Sequence, residues 1–115
     1  MTILTINCEE PWFSLLEKGE KPVEGRKGKK KYRELRTGDK IHFQCTQSKK
    51  SFLATVEKVD CFNSLSDYLE EVTLEKALPG ITSFEAAQQI YLQWSTIEEI
   101  NALGFVGIWI KPDAI

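Results

Sequence analysis

The segment Gly19-Glu20-Lys21-Pro22-Val23-Glu24-Gly25-Arg26 sets an ammonium, a carboxylate and a guanidinium within six positions. The planar fork of Arg26 suits a phosphate or a carbonyl edge, and the carboxylate of Glu24 accepts from an exocyclic amine such as cytosine N4. Lys21 is an electrostatic anchor, or, if desolvated, a base whose pKa is lowered. In an extended strand residues two apart share a face, so Glu24 and Arg26 fall together while Lys21 and Val23 point the other way. Bringing all three charges into one cleft therefore calls for a bulge, with Gly25 the natural place. A Glu24–Arg26 ion pair serving only structure is the competing expectation.

The segment opens a basic run. From Lys18 to Lys40 ten Lys/Arg face four acids, a local balance of +6, whereas the rest of the chain carries five bases and thirteen acids, a balance of −8. The total of −2 hides this split. A basic face on an acidic body suits an anionic partner, although for the lysine run alone a solvated loop that keeps the protein soluble is the first expectation. Lys27, Lys29, Lys30, Lys31 and Arg33, with Arg36, are candidate phosphate contacts, which give affinity without sequence reading and make it salt-dependent. Tyr32, set among them, could stack a base but is expected to pack inward beside Leu35.

Several classes are disfavoured. Cys8, Cys45 and Cys61 are odd in number, form no Cys-x-x-Cys pair and have only His42 beside them, so neither a zinc site nor any other metal or cofactor is expected. Unpaired thiols fit a reducing compartment, the cytoplasm or a nucleus, and are expected to behave as small buried apolar residues. No apolar run reaches membrane-spanning length, and the start of the chain lacks a cleavable signal pattern, so a secreted or membrane protein is not expected.

The elements that must position these residues follow from periodicity. Residues 1–115 suit one domain. Thr2 to Ile6 predicts a strand, Glu9-Glu10-Pro11 a helix start, and Trp12, Leu15 and Leu16 one helical face ending at Gly19. Pro22 makes the charged segment an edge strand. Lys30 to Leu35 predicts a single helical turn and Thr37-Gly38-Asp39 a turn. Lys40 to Cys45 and Phe52 to Val59 predict a hairpin, with Ile41, Phe43 and Cys45 inward and His42 outward, which separates cysteine from histidine. Ser64-x-x-Asp67 starts a helix with Leu65, Tyr68, Leu69 and Val72 inward. Pro79-Gly80 breaks it. Thr82-x-x-Glu85 and Ser95-x-x-Glu98 predict two further capped helices, the first placing Phe84, Ala87, Tyr91 and Trp94 on one face. Trp12, Tyr91 and Trp94 are core or cleft-wall candidates, and Tyr91 needs a partner for its hydroxyl if buried. Phe105 to Ile110 is apolar throughout and predicts a strand covered on both sides. Strands at both ends with helices gathered between them predict an α+β fold around a curled, mixed or antiparallel sheet.

Taken in order, the Trp12 helix, Gly19-x-Lys21-x-x-Glu24-x-Arg26, Gly38-Asp39-x-Ile41-x-Phe43, Leu78-Pro79-Gly80, Ile90-Tyr91 and Gly104-Phe105-Val106-Gly107-Ile108 resemble an ASCH domain of the PUA-like superfamily. The resemblance spans nearly the whole chain. It implies a PUA-like curled β-barrel of about five or six strands with flanking helices, and a cleft lined by Lys21, Glu24 and Arg26 with Tyr91 and Trp12 close by. The implied ligand is RNA or a modified nucleoside. Some members of the family are small amidohydrolases that release an acyl group from N4-acetylcytidine, using a Lys, a Thr three residues later and a downstream Glu. Here the Lys position is Lys21 and the Thr position is Glu24, which supplies no hydroxyl nucleophile. Catalysis by Lys21 and Glu24 is accordingly the second expectation, with a bound water as nucleophile. The third is a protein-interaction module whose acidic helices, Ser64 to Asn101, meet a basic partner.

Overall fold

The computed structural model describes residues 3–114. Five strands and six helices alternate irregularly along them: β1 (Ile3–Cys8), α1 (Trp12–Glu17), β2 (Val23–Lys27), α2 (Lys30–Arg33), β3 (Lys40–Cys45), β4 (Ser51–Phe62), α3 (Leu65–Val72), α4 (Leu74–Ala77), α5 (Phe84–Tyr91), α6 (Ile97–Leu103) and β5 (Phe105–Pro112). Thr2, where the first strand was expected to begin, lies outside the described residues. The strands form one sheet in the order β1-β3-β4-β5-β2. β1 runs parallel to β3 and the other neighbours are antiparallel, so the sheet is mixed and the class is α+β.

β4 is longer than its alternating pattern suggested because it serves two neighbours in turn. Ser51–Thr55 pair with β3, and Ala54–Phe62 pair with β5, with a register shift between Val56 and Lys58. Such an irregularity bends a strand and strengthens its twist, which lets a five-stranded sheet curl toward closure. β5 lies between β4 and β2 and is apolar on both faces. Val106, Ile108 and Ile110 join Ile6, Phe13, Leu16, Tyr32, Ile41, Phe43 and Val56 in one core. Phe105 joins Val23, Leu65, Tyr68, Leu69, Ala87, Tyr91 and Ile100 in the other. The expectation of a strand covered on both sides holds.

Several local expectations shift. The caps of α5 and α6 are Ser83 and Thr96, one residue after the predicted Thr82 and Ser95. In each Ser/Thr pair the second hydroxyl reaches the third backbone N–H of its helix, and at Thr96 the Glu99 carboxylate returns a bond to the Thr96 N–H at 3.0 Å, completing a capping box. A short additional helix, α4, precedes Pro79. On α1 the buried side chains are Phe13 and Leu16, with Trp12 half-buried on the flank. α5 ends at Tyr91, so Trp94 is not part of its inward face and is 49% exposed. Cys8 and Cys45 are buried, but Cys61, toward the end of β4, is exposed. Tyr32 packs into the core as expected. Among the described residues no helix is long and apolar enough to cross a membrane.

Candidate functional site

β1 and β2 are the two edges of the sheet, and curling brings them face to face with a side-chain bridge where a backbone ladder would close a barrel. Arg26, on β2, makes the bridge. Its Nη2 donates to the Asn7 carbonyl on β1 at 2.8 Å and to Glu24 Oε2 at 2.7 Å, and its Nε donates to the same Oε2 at 3.1 Å. The Cys8 thiol at the end of β1 also donates to Glu24 Oε2, at 3.4 Å. Strand alternation thus places Glu24 and Arg26 on one face, as their spacing predicts.

Lys21 reaches the same cluster by a different route from the expected one. It precedes β2, in the turn that follows Gly19 (φ +80°), so strand parity does not govern it. Its Nζ lies 3.7 Å from Glu24 Oε1, donates to the Val23 carbonyl at 2.8 Å and donates to the Ala77 carbonyl. No bulge is needed at Gly25, which pairs with Gly107 in unbroken register. Gly25 serves packing instead. A Cβ there would lie 2.7 Å from the Phe105 ring and 2.8 Å from the Tyr68 hydroxyl oxygen.

Burial dominates the electrostatics. Lys21 is 1% exposed, and desolvation lowers its pKa against the opposing pull of Glu24. Burial alone would raise the Glu24 carboxyl, but Arg26 and Lys21 outweigh it and hold the group below the ordinary carboxylate range. The Cys8 thiol is pushed up, first by burial and then by Glu24, and stays protonated. Tyr68 and Tyr91 are likewise raised by burial, and their hydroxyls interact with each other while neither makes a hydrogen bond of full geometry. Two unsatisfied phenols side by side are costly unless another group meets them.

Cys8, Lys21, Glu24, Arg26 and Tyr91 line a cavity of about 350 Å³, within the usual range for small-molecule sites. Its buried end carries Lys21, Glu24, Gly25 and Tyr91; its exposed end carries Lys29 and Trp94. Trp12, Tyr32, Phe105 and Leu78 complete apolar walls. Of the residues singled out from sequence, Lys21, Glu24, Arg26, Tyr91, Trp12, Lys27 and Lys29 converge here. Lys30, Lys31 and Arg33 do not line the cavity: Lys31 stands 5.0 Å over the Tyr32 ring, and Arg33 donates to the Leu103 carbonyl. Lys27 is paired with Glu99 at 3.2 Å. Asn7 and Cys8 were missed because the first strand was ended at Ile6. The alternation of apolar Leu4, Ile6 and Cys8 along β1 is the signal that would have carried the strand on to the site. Among the described residues no group of three His, Cys, Asp or Glu is placed to hold a metal ion.

The ASCH domain family model matches residues 6–108. The crystal structure of hypothetical protein PH0355 superposes with a TM-score of 0.87 at 28% identity, covering 97% of this chain and 100% of that one. The solution NMR structure of protein PF0455 from Pyrococcus furiosus gives 0.79 at 29% identity, covering 99% and 100%. Comparison with curated proteins gives no match.

Proposed function

The chain belongs to the ASCH domain family of the PUA-like superfamily, and from that premise we propose that it binds RNA or a modified nucleoside through the cavity at the open seam. The observation that carries this is the pairing of a fixed polar edge with aromatic walls in one cavity. Glu24 spends Oε2 on Arg26 and Cys8 and keeps Oε1 for a further donor, with Lys21 3.7 Å away. Arg26 uses Nε and Nη2, leaving Nη1 unengaged among the described residues. Trp12, Tyr91 and Trp94 offer planar faces for an unstacked base. Lys29 at the exposed end, continued by Lys30 and Lys31 on α2, suits the phosphates that flank such a base.

Amidohydrolysis of an N4-acylated cytidine draws support from the lowered pKa of Lys21. Its ammonium, however, is turned to two carbonyls and a carboxylate, which is the geometry of an anchor rather than of a base waiting for a proton. Binding is therefore the preferred function. Fluorescence anisotropy with a panel of short single-stranded RNAs, titrated at several salt concentrations, tests it. The expected result is binding that weakens steeply with salt and weakens further in an Arg26→Ala/Lys30→Ala double variant. Equal binding by that double variant, once shown to be folded, would overturn the proposal. Release of cytidine from N4-acetylcytidine above a Lys21→Ala control would put hydrolysis first.

A further inference from the structure

Each backbone N–H and C=O needs a partner, so the parity of the β2–β5 ladder reveals which groups of β2 are left over. The Ile110 N–H donates to the Pro22 carbonyl at 3.0 Å, and the Gly28 N–H donates to the Gly104 carbonyl at 2.9 Å. Between them the register is unbroken, from Val23 opposite Trp109 to Lys27 opposite Phe105. Hydrogen-bonded and non-hydrogen-bonded pairs alternate in an antiparallel ladder. Pro22, Glu24, Arg26 and Gly28 are therefore turned toward β5, while Val23, Gly25 and Lys27 turn their polar groups to the side where β2 has no neighbour.

Two of these three outward residues have their carbonyls engaged locally. The Val23 carbonyl accepts from Lys21 Nζ at 2.8 Å, and the Lys27 carbonyl accepts from the Lys29 N–H at 2.7 Å. Gly25 remains. Among the described residues neither its N–H nor its C=O makes a hydrogen bond, and Gly25 lines the cavity. An adjacent main-chain donor and acceptor thus stand open between aromatic walls.

We propose that the main chain of Gly25 reads the ligand, its N–H donating to an acceptor and its C=O accepting from the adjacent N–H on the Watson–Crick edge of a nucleobase. This rests on the RNA- or nucleoside-binding function proposed above and names the group that does the reading. An extended peptide added as a further strand fits the edge poorly. Strand addition needs a run of free groups at alternate residues, and the carbonyls on either side of Gly25 are already occupied. A planar ligand needs one donor and one acceptor only. Because every base presents an adjacent donor and acceptor there, the contact recognises an unblocked edge and leaves choice among bases to Glu24 and Arg26.

The test uses the full chain labelled with 15N and two pairs of probes: a short oligocytidylate and the same oligomer carrying 3-methylcytidine, and an oligoadenylate and its 1-methyladenosine counterpart. With the unmodified oligomers the Gly25 amide resonance should shift and its hydrogen exchange should slow by about tenfold or more at saturation. Ring methylation should weaken binding by about tenfold or more. Binding of the unmodified oligomers with the Gly25 amide unmoved, or equal affinity for the methylated ones, would overturn the Gly25 assignment and leave RNA binding standing. No binding of any oligomer at low salt would overturn both. A Gly25 amide that responds only to an extended peptide would replace base reading by strand addition.

Discussion

Two neighbouring stretches of this chain, Lys21 to Lys27 and Lys29 to Arg36, are both rich in basic residues and live in opposite circumstances. In the first, Lys21 and Glu24 are buried, Arg26 is largely covered, and each charge has assigned partners. In the second, Lys29, Lys30, Lys31, Arg33 and Arg36 are all exposed. Composition alone makes the two look like one basic run. The difference lies in what a substitution removes. A buried charge is held by compensation, so losing one member strands the others, whereas an exposed lysine on α2 is one contributor to a field in which any neighbour can stand in.

The comparison breaks most visibly at Glu24. Replacing it by alanine leaves the Lys21 ammonium buried with no counter-charge within reach except through carbonyl dipoles. The expected loss is about 3–5 kcal/mol in urea unfolding, and a loss below about 1 kcal/mol would show that the buried stretch behaves like the exposed one. Lys21→Met should cost less, about 1–3 kcal/mol, since it strands two carbonyl acceptors rather than a charge. Combining Lys21→Met with Glu24→Ala should recover part of the sum of the two single losses, and strict additivity would deny the coupling.

The pH dependence sharpens the same contrast. The carboxyl of Glu24 is lowered in the folded state relative to its ordinary value of 4.5. The native state therefore binds the proton less readily than the unfolded chain, and the stabilisation is complete above that value and lost as pH falls below it. The stability gap between the native sequence and Glu24→Gln should be constant from neutral pH down to about 5 and should shrink in more acidic solution. A gap that persists unchanged into acid would assign the effect to packing. Lys30→Ala and Lys31→Ala should have the smallest effects, within about 0.5 kcal/mol of stability. Each should nonetheless reduce the slope of log affinity against log salt by about one, which separates a surface that attracts RNA from one that holds the fold.

Much of the fold was legible because burial and periodicity agree over most elements. The hairpin of β3 and β4, the inward stripe of α3 and the twofold-covered β5 all follow from patterns of two or 3.6 residues. The caps of α5 and α6 slipped by one because adjacent Ser/Thr pairs offer two hydroxyls, and only tertiary placement of Ala87, Tyr91 and Ile100 decides between them. The cluster of Lys21, Glu24 and Arg26 was legible as a set but not as a geometry. Strand alternation was applied to Lys21, which stands in the preceding turn, and the bulge invoked to reconcile the three belongs to β4 instead. The extension of β1 to Asn7 and Cys8 was legible in its alternation, but their contacts with Arg26 and Glu24, like the open main chain of Gly25, were not, since each depends on strands remote in sequence.

That remoteness has a temporal consequence. Among the described residues β2 pairs with β5 alone, so the wall carrying Glu24, Gly25 and Arg26 is held in the sheet by a strand synthesised about eighty residues later, from Phe105 onward. Closing so long a loop is entropically costly and kinetically late, and on the ribosome it must wait until β5 has emerged. The hairpin of β3 and β4 can form well before that. A nascent chain is thus without its seam until β5 docks, and the ligand binding proposed above would report that synthesis and folding have run to β5.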